Sequence, residues 1–357
     1  MKTLLQIITG FILAGYTYLT VIIAVGHAFG KTIYPCDFFS YFRVTLIAIL
    51  VGTAVTIPEL FIIPKMIGRL SFGLNLLART VLYLFFAALA VVLFSVAYYS
   101  ISLSTLPWHL LRHASVVAFV KGEFLVILLL CLIVAFLINA LRLIVNRFGE
   151  GVFWNYISGR YHIPHEEERI FMFLDLYAST TIAEKIGHYQ YHQFLNELFT
   201  DISEPIWHNL GEIYQYVGDE VVITWPVQIG LKDAHCLKCF FEIRSVLKSK
   251  EAHYEAEYGF VPEFKAGLHA GKVIAGEVGE LKTEIVFHGD TVNTASRIHS
   301  ECSVYRRDFL ISGDVLKLLQ PYLKGQYDIE YIGHILLKGK ENEIALYSIH
   351  PAIALKL

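Results

Sequence analysis

Three long stretches of this chain carry no charged side chain: between Lys2 and Lys31, between Arg79 and Arg112, and between Glu123 and Arg142. A helix that crosses a bilayer needs ~20 mostly apolar residues. The pattern therefore predicts spanning helices near residues 4–29, 81–104 and 124–145. A fourth, over 44–64, has the length and hydropathy but holds Pro58 and Glu59. Further along, the period shortens. Arg169–Asp175 is a hydrophobic strand, and Thr180–His208 shows helical spacing of Ile182, Ile186, Phe194, Leu198 and Ile202. Glu212–Val217 and Val221–Trp225 flank Gly218-Asp219 as a hairpin. Asp233–Tyr258 is helical in pattern. Phe264–His269 and Val273–Ala275 follow as strands with Gly271 between them, and runs at 309–312, 328–336 and 344–349 complete a sheet. The alternation predicts a ferredoxin-like α+β core with additions. The organisation is thus 1–147, an all-α four-helix transmembrane bundle; 148–168, a junction; and 169–357, the α+β domain.

Composition agrees. Of the 357 residues, 55% are hydrophobic and 17% charged, with a mean hydropathy of +0.52. That is too apolar for a wholly soluble protein. A formal net charge of −3 gives no footing for nucleic acid. Lys65, Arg69 and Arg79 follow the second span, and Lys2, Arg142 and Arg147 fall on the same side of a four-span topology. Lys31, Arg43, Arg112 and Lys121 fall on the other. The bias orients both ends of the bundle inward. The first span exceeds a secretory h-region, and Ala24 to Ala28 is a poor cleavage site, so it reads as a retained helix. Glu59 is an intramembrane charge and a functional candidate by default. Lying six residues from Lys65, it can equally snorkel or hydrogen-bond between helices.

Five cysteines at irregular spacing imply no disulfide framework. Cys236 and Cys239 lie in a helix-like run without a second pair and read as structural, and Cys131 as packing. His109/His113 and His188/His192 each have the i, i+4 spacing of a zinc site, but neither pair has the Glu of a His-Glu-x-x-His motif or a third ligand. Both read as solvated or packing histidines.

The candidate chemistry lies in the α+β domain. Asn293 and Arg297, four residues apart in the run from His288 to Arg297, share one helix face. An amide and a guanidinium converging there can hold a sugar and a phosphate. Upstream, one strand delivers Asp175 at its end and another is followed by Gly218-Asp219-Glu220. Carboxylates at two strand ends, with a phosphate-binding pair downstream, are the inventory for two-metal phosphoryl chemistry, and Asp175 and Asp219 are the candidate metal ligands. Ala178, Ser179 and Thr180 precede a helix, where free amides bind anions; Ser179 or Thr180 can also be an ordinary N-cap.

These motifs, in this order, resemble the class III nucleotidyl cyclases, which make cyclic AMP and cyclic GMP. The resemblance covers roughly residues 165–350. It rests on Phe173 to Thr180, Val217 to Glu220, Ala266 to Gly271 with Ala275, Gly276 and Gly279, the Asn293/Arg297 helix, and Leu337 to Lys340. It implies two Mg2+ or Mn2+ ions per site, with the Leu176 carbonyl completing the metal shell. Asn293 would orient the ribose and Arg297 stabilise charge on the α-phosphate. Lys338 matches the basic residue toward the terminal phosphate, with Lys340 as a possible helper. Asp and Asn/Arg/Lys come from different subunits in this family, which implies a homodimer with sites at its interface. The junction 148–168 would couple the input region to the catalytic domain.

The chain departs from the family at the base-reading positions, Gln215 and Val286. A Gln amide satisfies adenine or guanine by flipping, and Val286 offers nothing polar. Lys265 replaces a common Arg and is a possible contributor. Because most bacterial members resembling this chain are adenylate-forming, the expectation is an ATP-using enzyme in the cell's inner membrane, multi-pass, with its catalytic domain cytoplasmic. A guanylate cyclase is the alternative, and a catalytically silent cyclase-like receptor is the rival from another class. The input ligand or partner of the membrane part is not readable.

Overall fold

The computed structural model describes residues 2–28, 36–61, 63, 70–104, 106–112, 116–117, 123–148, 150–323 and 325–352. Lys31, Lys65, Arg69, His113 and Lys121, which entered the topology and metal-spacing arguments, lie outside the described residues. The chain divides into two units, Met1–Phe148 and Gly149–Leu357.

The first unit holds helices α1 (Lys2–Ala28), α2 (Phe38–Phe61), α3 (Phe72–Ser102) and α4 (Glu123–Phe148). By length and composition all four are able to cross a membrane. Tyr83, Ala87, Val55 and Ala135 face inward, while Leu77, Phe85, Leu93 and Leu137 face outward. A hydrophobic exterior of this kind is costly in water and natural in lipid. Glu59 does not snorkel: it is 3% exposed and turns inward, paired with Arg79 of α3 and with Arg142 of α4 at 3.2 Å. Arg142 also donates to the Tyr83 hydroxyl at 3.0 Å. A buried carboxylate survives only with such partners.

The second unit opens with α5 (Glu150–Ile157), inside the junction, and β1 (His165–Leu176). There follow α6 (Ser179–Ile186), α7 (His188–His208), β2 (Glu212–Val217), β3 (Glu220–Pro226), α8 (Val227–Leu231), α9 (His235–Ser249) and α10 (Glu251–Tyr258). The remainder is β4 (Phe264–Val278), β5 (Glu284–His288), α11 (Asp290–Tyr305), β6 (Phe309–Ser312), α12 (Gly313–Leu319), β7 (Tyr327–Ile335) and β8 (Ile344–Pro351). The strands form one sheet in the order β2-β3-β1-β4-β6-β8-β7, with β5 pairing the far end of β4.

Strand alternation separates the two faces of this sheet. Ile170, Met172, Leu174 and Leu176 of β1 pack with Phe194 and Leu198 of α7 and Phe240 and Ile243 of α9. Cys236 and Cys239 belong to that core, where burial pushes the Cys236 thiol up to about 12. Phe171 and Phe173 point the other way, against Val222, Val273, Phe287 and Ala295 of α11.

Three sequence expectations for this unit need correction. The helix expected over Thr180–His208 is two, α6 and α7, broken at Gly187, whose φ of +78° suits glycine. The expected Asp233–Tyr258 helix likewise begins at His235 and divides at Lys250. The strands expected on either side of Gly271 are one continuous β4 that pairs β1 along its whole length. The short β5 and the helix α12 have no counterpart in the sequence reading.

Candidate active site

β1 and β4 run antiparallel with Asp175 opposite Lys265, and β1 pairs β3 with Leu174 opposite Val221. The β2–β3 turn at Gly218-Asp219 thus falls at the sheet end where β1 delivers Asp175. Lys265 Nζ lies 3.4 Å from Asp175 Oδ2 and donates to Ser303 of α11 at 3.1 Å. Asp219 stands within hydrogen-bond reach of Asp175. Burial, then this second carboxylate, pushes Asp175 up to about 6. Glu220 is pushed up to about 7 by burial and by Asp175 and Asp219. Tyr191 of α7, close to Ser179, is pushed up to about 12 by burial and by Asp219.

His299 closes the group from α11. Its Nε2 lies 3.6 Å from Asp175 and its Nδ1 3.8 Å from Glu220. Burial and Lys265 push this imidazole down to about 4, so at pH 7 it is neutral and these are polar contacts, not ion pairs. The helix comes this close because β4 carries Gly267: a Cβ there would sit 2.2 Å from the His299 amide nitrogen and 2.8 Å from the Ala295 carbonyl.

Asn293 and Arg297 occupy another face of α11. At about 100° per residue, Arg297 and His299 are turned roughly 200° apart. Arg297 lies against the Leu337–Lys340 turn, its guanidinium 3.5 Å from where a Gly339 Cβ would stand. Lys340 pairs with Asp290 at the first turn of the same helix. It therefore ties the turn to α11, while Lys338 is exposed. The structure brings the basic candidates together and, separately, the acidic ones. Among the described residues no ion pair links the two groups.

The base-reading candidates sit elsewhere on the sheet. Gln215 is exposed on β2 and Val286 half-buried on β5, strands that are not neighbours. Their adjoining residues meet: the Tyr214 and Phe287 rings lie 5.1 Å apart. At α6 the N-cap is Ala178, in left-handed conformation at φ +54° and without a side-chain cap bond. The N-cap reading of Ser179 or Thr180 is corrected accordingly; both are helical, at the first turn.

The acidic group fits a hard divalent cation. Its carboxylates offer oxygen donors, Asp175 and Glu220 are raised first by burial and then by neighbouring carboxylates, and Leu176 ends β1 beside them. Among the described residues, no group of three or more His, Cys, Asp or Glu side chains is placed to hold a metal ion by itself. Such a cation would need oxygens from a substrate as well. Glu220, His299 and Tyr191 were not singled out from the sequence. Glu220 stood in the quoted Gly218-Asp219-Glu220 run, but the approach of His299 and Tyr191 depends on register and had no local signal.

Fold and site together define a nucleotide-processing α+β domain of the cyclase type. The family of adenylate and guanylate cyclase catalytic domains matches residues 162–351, and the chain belongs to it. Adenylate cyclase 2 of Rhizobium meliloti (strain 1021) is 37% identical over 201 residues, covering 56% of this chain and 55% of that protein. Receptor-type guanylate cyclase gcy-13 of Caenorhabditis elegans is 31% identical over 173 residues, 47% of this chain and 16% of that one. The chain therefore spans about half the length, or less, of these relatives. A bacterial light-regulated adenylyl cyclase has the same fold, with a TM-score of 0.51, 22% identity, and coverage of 60% of this chain and 62% of that one.

Proposed function

We propose that this chain is a membrane-anchored adenylate cyclase: it converts ATP to cyclic AMP and pyrophosphate at sites shared between two copies of the chain. The supporting observation is the separation of the two candidate groups. Asp175, Asp219 and Glu220 lie at a sheet end against one face of α11, while Asn293, Arg297 and the Leu337–Lys340 turn lie on another. Each group alone is half an active site. A two-fold pairing of chains would set the acidic half of one against the basic half of the other.

Asp175, Asp219 and the Leu176 carbonyl would hold two Mg2+ or Mn2+ ions. Such ions, when bound, acidify the ribose 3′-hydroxyl and neutralise phosphate charge. The backbone N–H groups at Ala178, Ser179 and Thr180 donate to phosphate oxygens at the start of α6. Asn293 fixes the ribose, so the 3′-oxygen is held in line with the α-phosphorus. As the new P–O bond forms and the bond to the pyrophosphate oxygen breaks, Arg297 bears the charge that builds on the α-phosphate. Lys338, exposed and without an ion-pair partner among the described residues, receives the terminal phosphates. Gln215 and Val286 face the base. The four apolar helices support an anchor in the inner membrane, and the need for nucleotide favours a cytoplasmic catalytic unit.

The test is the purified full chain in detergent, assayed with ATP and with GTP in Mg2+ and in Mn2+. Cyclic AMP should predominate. Asp175→Asn and Asp219→Asn should each cut turnover by more than the ~10²–10³ that loss of one transition-state donor costs. Cyclic GMP as the main product would establish the guanylate reading. No cyclic nucleotide from a folded dimer would leave the silent receptor.

A further inference from the structure

Arg169 is a charged side chain with 1% exposure, set within β1 on the side of Asp175 toward the start of the strand. Its partners account for its burial. Nε donates to Glu167 at 2.7 Å, one terminal nitrogen to Glu212 at 2.7 Å, and the other to the Tyr161 hydroxyl at 3.1 Å. The guanidinium carbon stands 4.6 Å from the centre of the Phe287 ring. One residue of β1 thus grips the first residue of β2 across the intervening β3, and the fourth residue of β5. Tyr161, 1% exposed, fixes the guanidinium from the segment before β1. Its carbonyl accepts from the Glu277 amide at 3.0 Å.

What Arg169 grips is irregular. β2 pairs β3 with Glu212 opposite Thr224 and Ile213 opposite Ile223, but Gln215 opposite Val222. Tyr214 is an extra residue, a bulge. Its ring turns onto Phe287 and Phe171, and its hydroxyl accepts from the Phe287 amide at 3.5 Å. The bulge decides the face on which Gln215 appears. With it, Gln215 lies in a cross-strand row with Val222, Phe173 and Gly267, the side of the sheet that carries α11. Without it, a slip of one residue would turn Gln215 to the side of α7 and α9. β2 is an edge strand with a single neighbour, so its register rests on that neighbour and on whatever anchors its ends.

We propose that the Arg169–Glu212 ion pair, seated by Tyr161, is a specificity-positioning device: it anchors β2 before its bulge and so keeps Gln215 on the α11 side of the sheet, where it reads the nucleotide base. This rests on the proposed function, in which Gln215 contacts the base. Arg169, Glu212 and Tyr161 touch no substrate; they act through Gln215.

Arg169→Ala would strand two carboxylates and damage folding, so milder changes carry the test. Kinetics of the full chain in detergent would be measured with ATP and GTP for wild type, Glu212→Gln, Tyr161→Phe, Gln215→Glu and the Glu212→Gln/Gln215→Glu pair, each with a melting curve. Because a Gln amide serves either base, Glu212→Gln should lower kcat/KM for ATP and for GTP alike by about tenfold, the worth of one lost polar contact. KM should rise more than kcat falls. Tyr161→Phe should act the same way by less. Gln215→Glu alone should shift the ATP-to-GTP ratio toward GTP, since a carboxylate accepts from guanine N–H groups. Adding Gln215→Glu to Glu212→Gln should shift the ratio little, because the side chain no longer faces the base. A full shift of the ratio by Gln215→Glu in the Glu212→Gln background overturns the positioning role and spares the base reading. No shift in Gln215→Glu alone overturns both. If Glu212→Gln does not fold, Tyr161→Phe decides, and an unchanged kcat/KM there counts against the proposal.

Discussion

Three carboxylates, Asp175, Asp219 and Glu220, converge where Lys265 is the paired cation, and the site holds them at a cost. Asp175 and Glu220 titrate at about 6 and about 7 in the folded chain, against about 4 for unstructured carboxylates. The folded state therefore binds more protons than the unfolded state between those limits. The stability these groups contribute is fully present below about pH 4 and is lost as pH rises through 6 and 7. A divalent cation favours the ionised form and should restore it. Mg2+ or Mn2+ should raise the melting temperature more at pH 8 than at pH 5, by roughly 5–10 °C at a hundred times Kd. Asp175→Asn should raise the metal-free melting temperature at pH 8 and abolish most of the metal response. An equal metal response at both pH values would sink the assignment. At this scale the sequence was half legible. Asp175 and Asp219 announce themselves because a strand end and a tight turn are local features. His299, thirty-two residues from Gly267 in sequence, joins them only through the packing of α11 on β4.

Among the elements, α11 matters most, because both candidate groups lean on it. Its seat is Gly267. A Cβ there would come within 2.2 Å of the His299 nitrogen and 2.5 Å of its Cα, backbone atoms that cannot rotate aside. Gly267→Ala must lift the helix or bend β4, at a cost of about 1–3 kcal/mol. It should lower the melting temperature and depress turnover together, since the lift moves His299 and Ser303 on one face and Arg297 on the other. A variant of unchanged melting temperature and activity would mean that α11 does not sit on β4 this closely. The run containing α11 was readable from the spacing of Asn293 and Arg297, and β1, β2 and β3 as short apolar or aromatic runs bounded by turn residues. β5 was not: Glu284 to His288 is five residues with one buried side chain, Phe287, and its pairing with β4 supplies what its own pattern lacks. The break at Gly187 was passed over because apolar spacing continues on both sides of it. In the first unit, the choice between a snorkelling and an inward Glu59 depended on Arg79 and Arg142, which only the packing of the four apolar helices brings near.

At the scale of the whole molecule, the arrangement predicts that one chain cannot complete the reaction. Arg297 rests on the Leu337–Lys340 turn, and Asp175 on Lys265 and His299, with about half a helical turn of α11 between the two directions. A site within one chain would need α11 to rotate off Gly267, which the backbone contact there forbids. A site between chains needs only a two-fold axis, and that axis generates two equivalent sites. The two designs separate when dead variants are mixed. Asp175→Ala and Arg297→Ala homodimers should each be inactive, since every site lacks one group. Their heterodimer has one site with both residues intact and one lacking both. Random exchange makes about half the dimers heterodimers, so the mixture should recover roughly a quarter of wild-type turnover if the sites act independently. The measurement is cyclic nucleotide formation after co-expression, with two affinity tags to demonstrate heterodimers. Recovery would establish the shared site and Arg297 and Asp175 as partners across it. Tagged heterodimers that remain silent would place the complete site inside one chain, and would require the sheet end and the Asn293/Arg297 face to approach each other by a movement of α11.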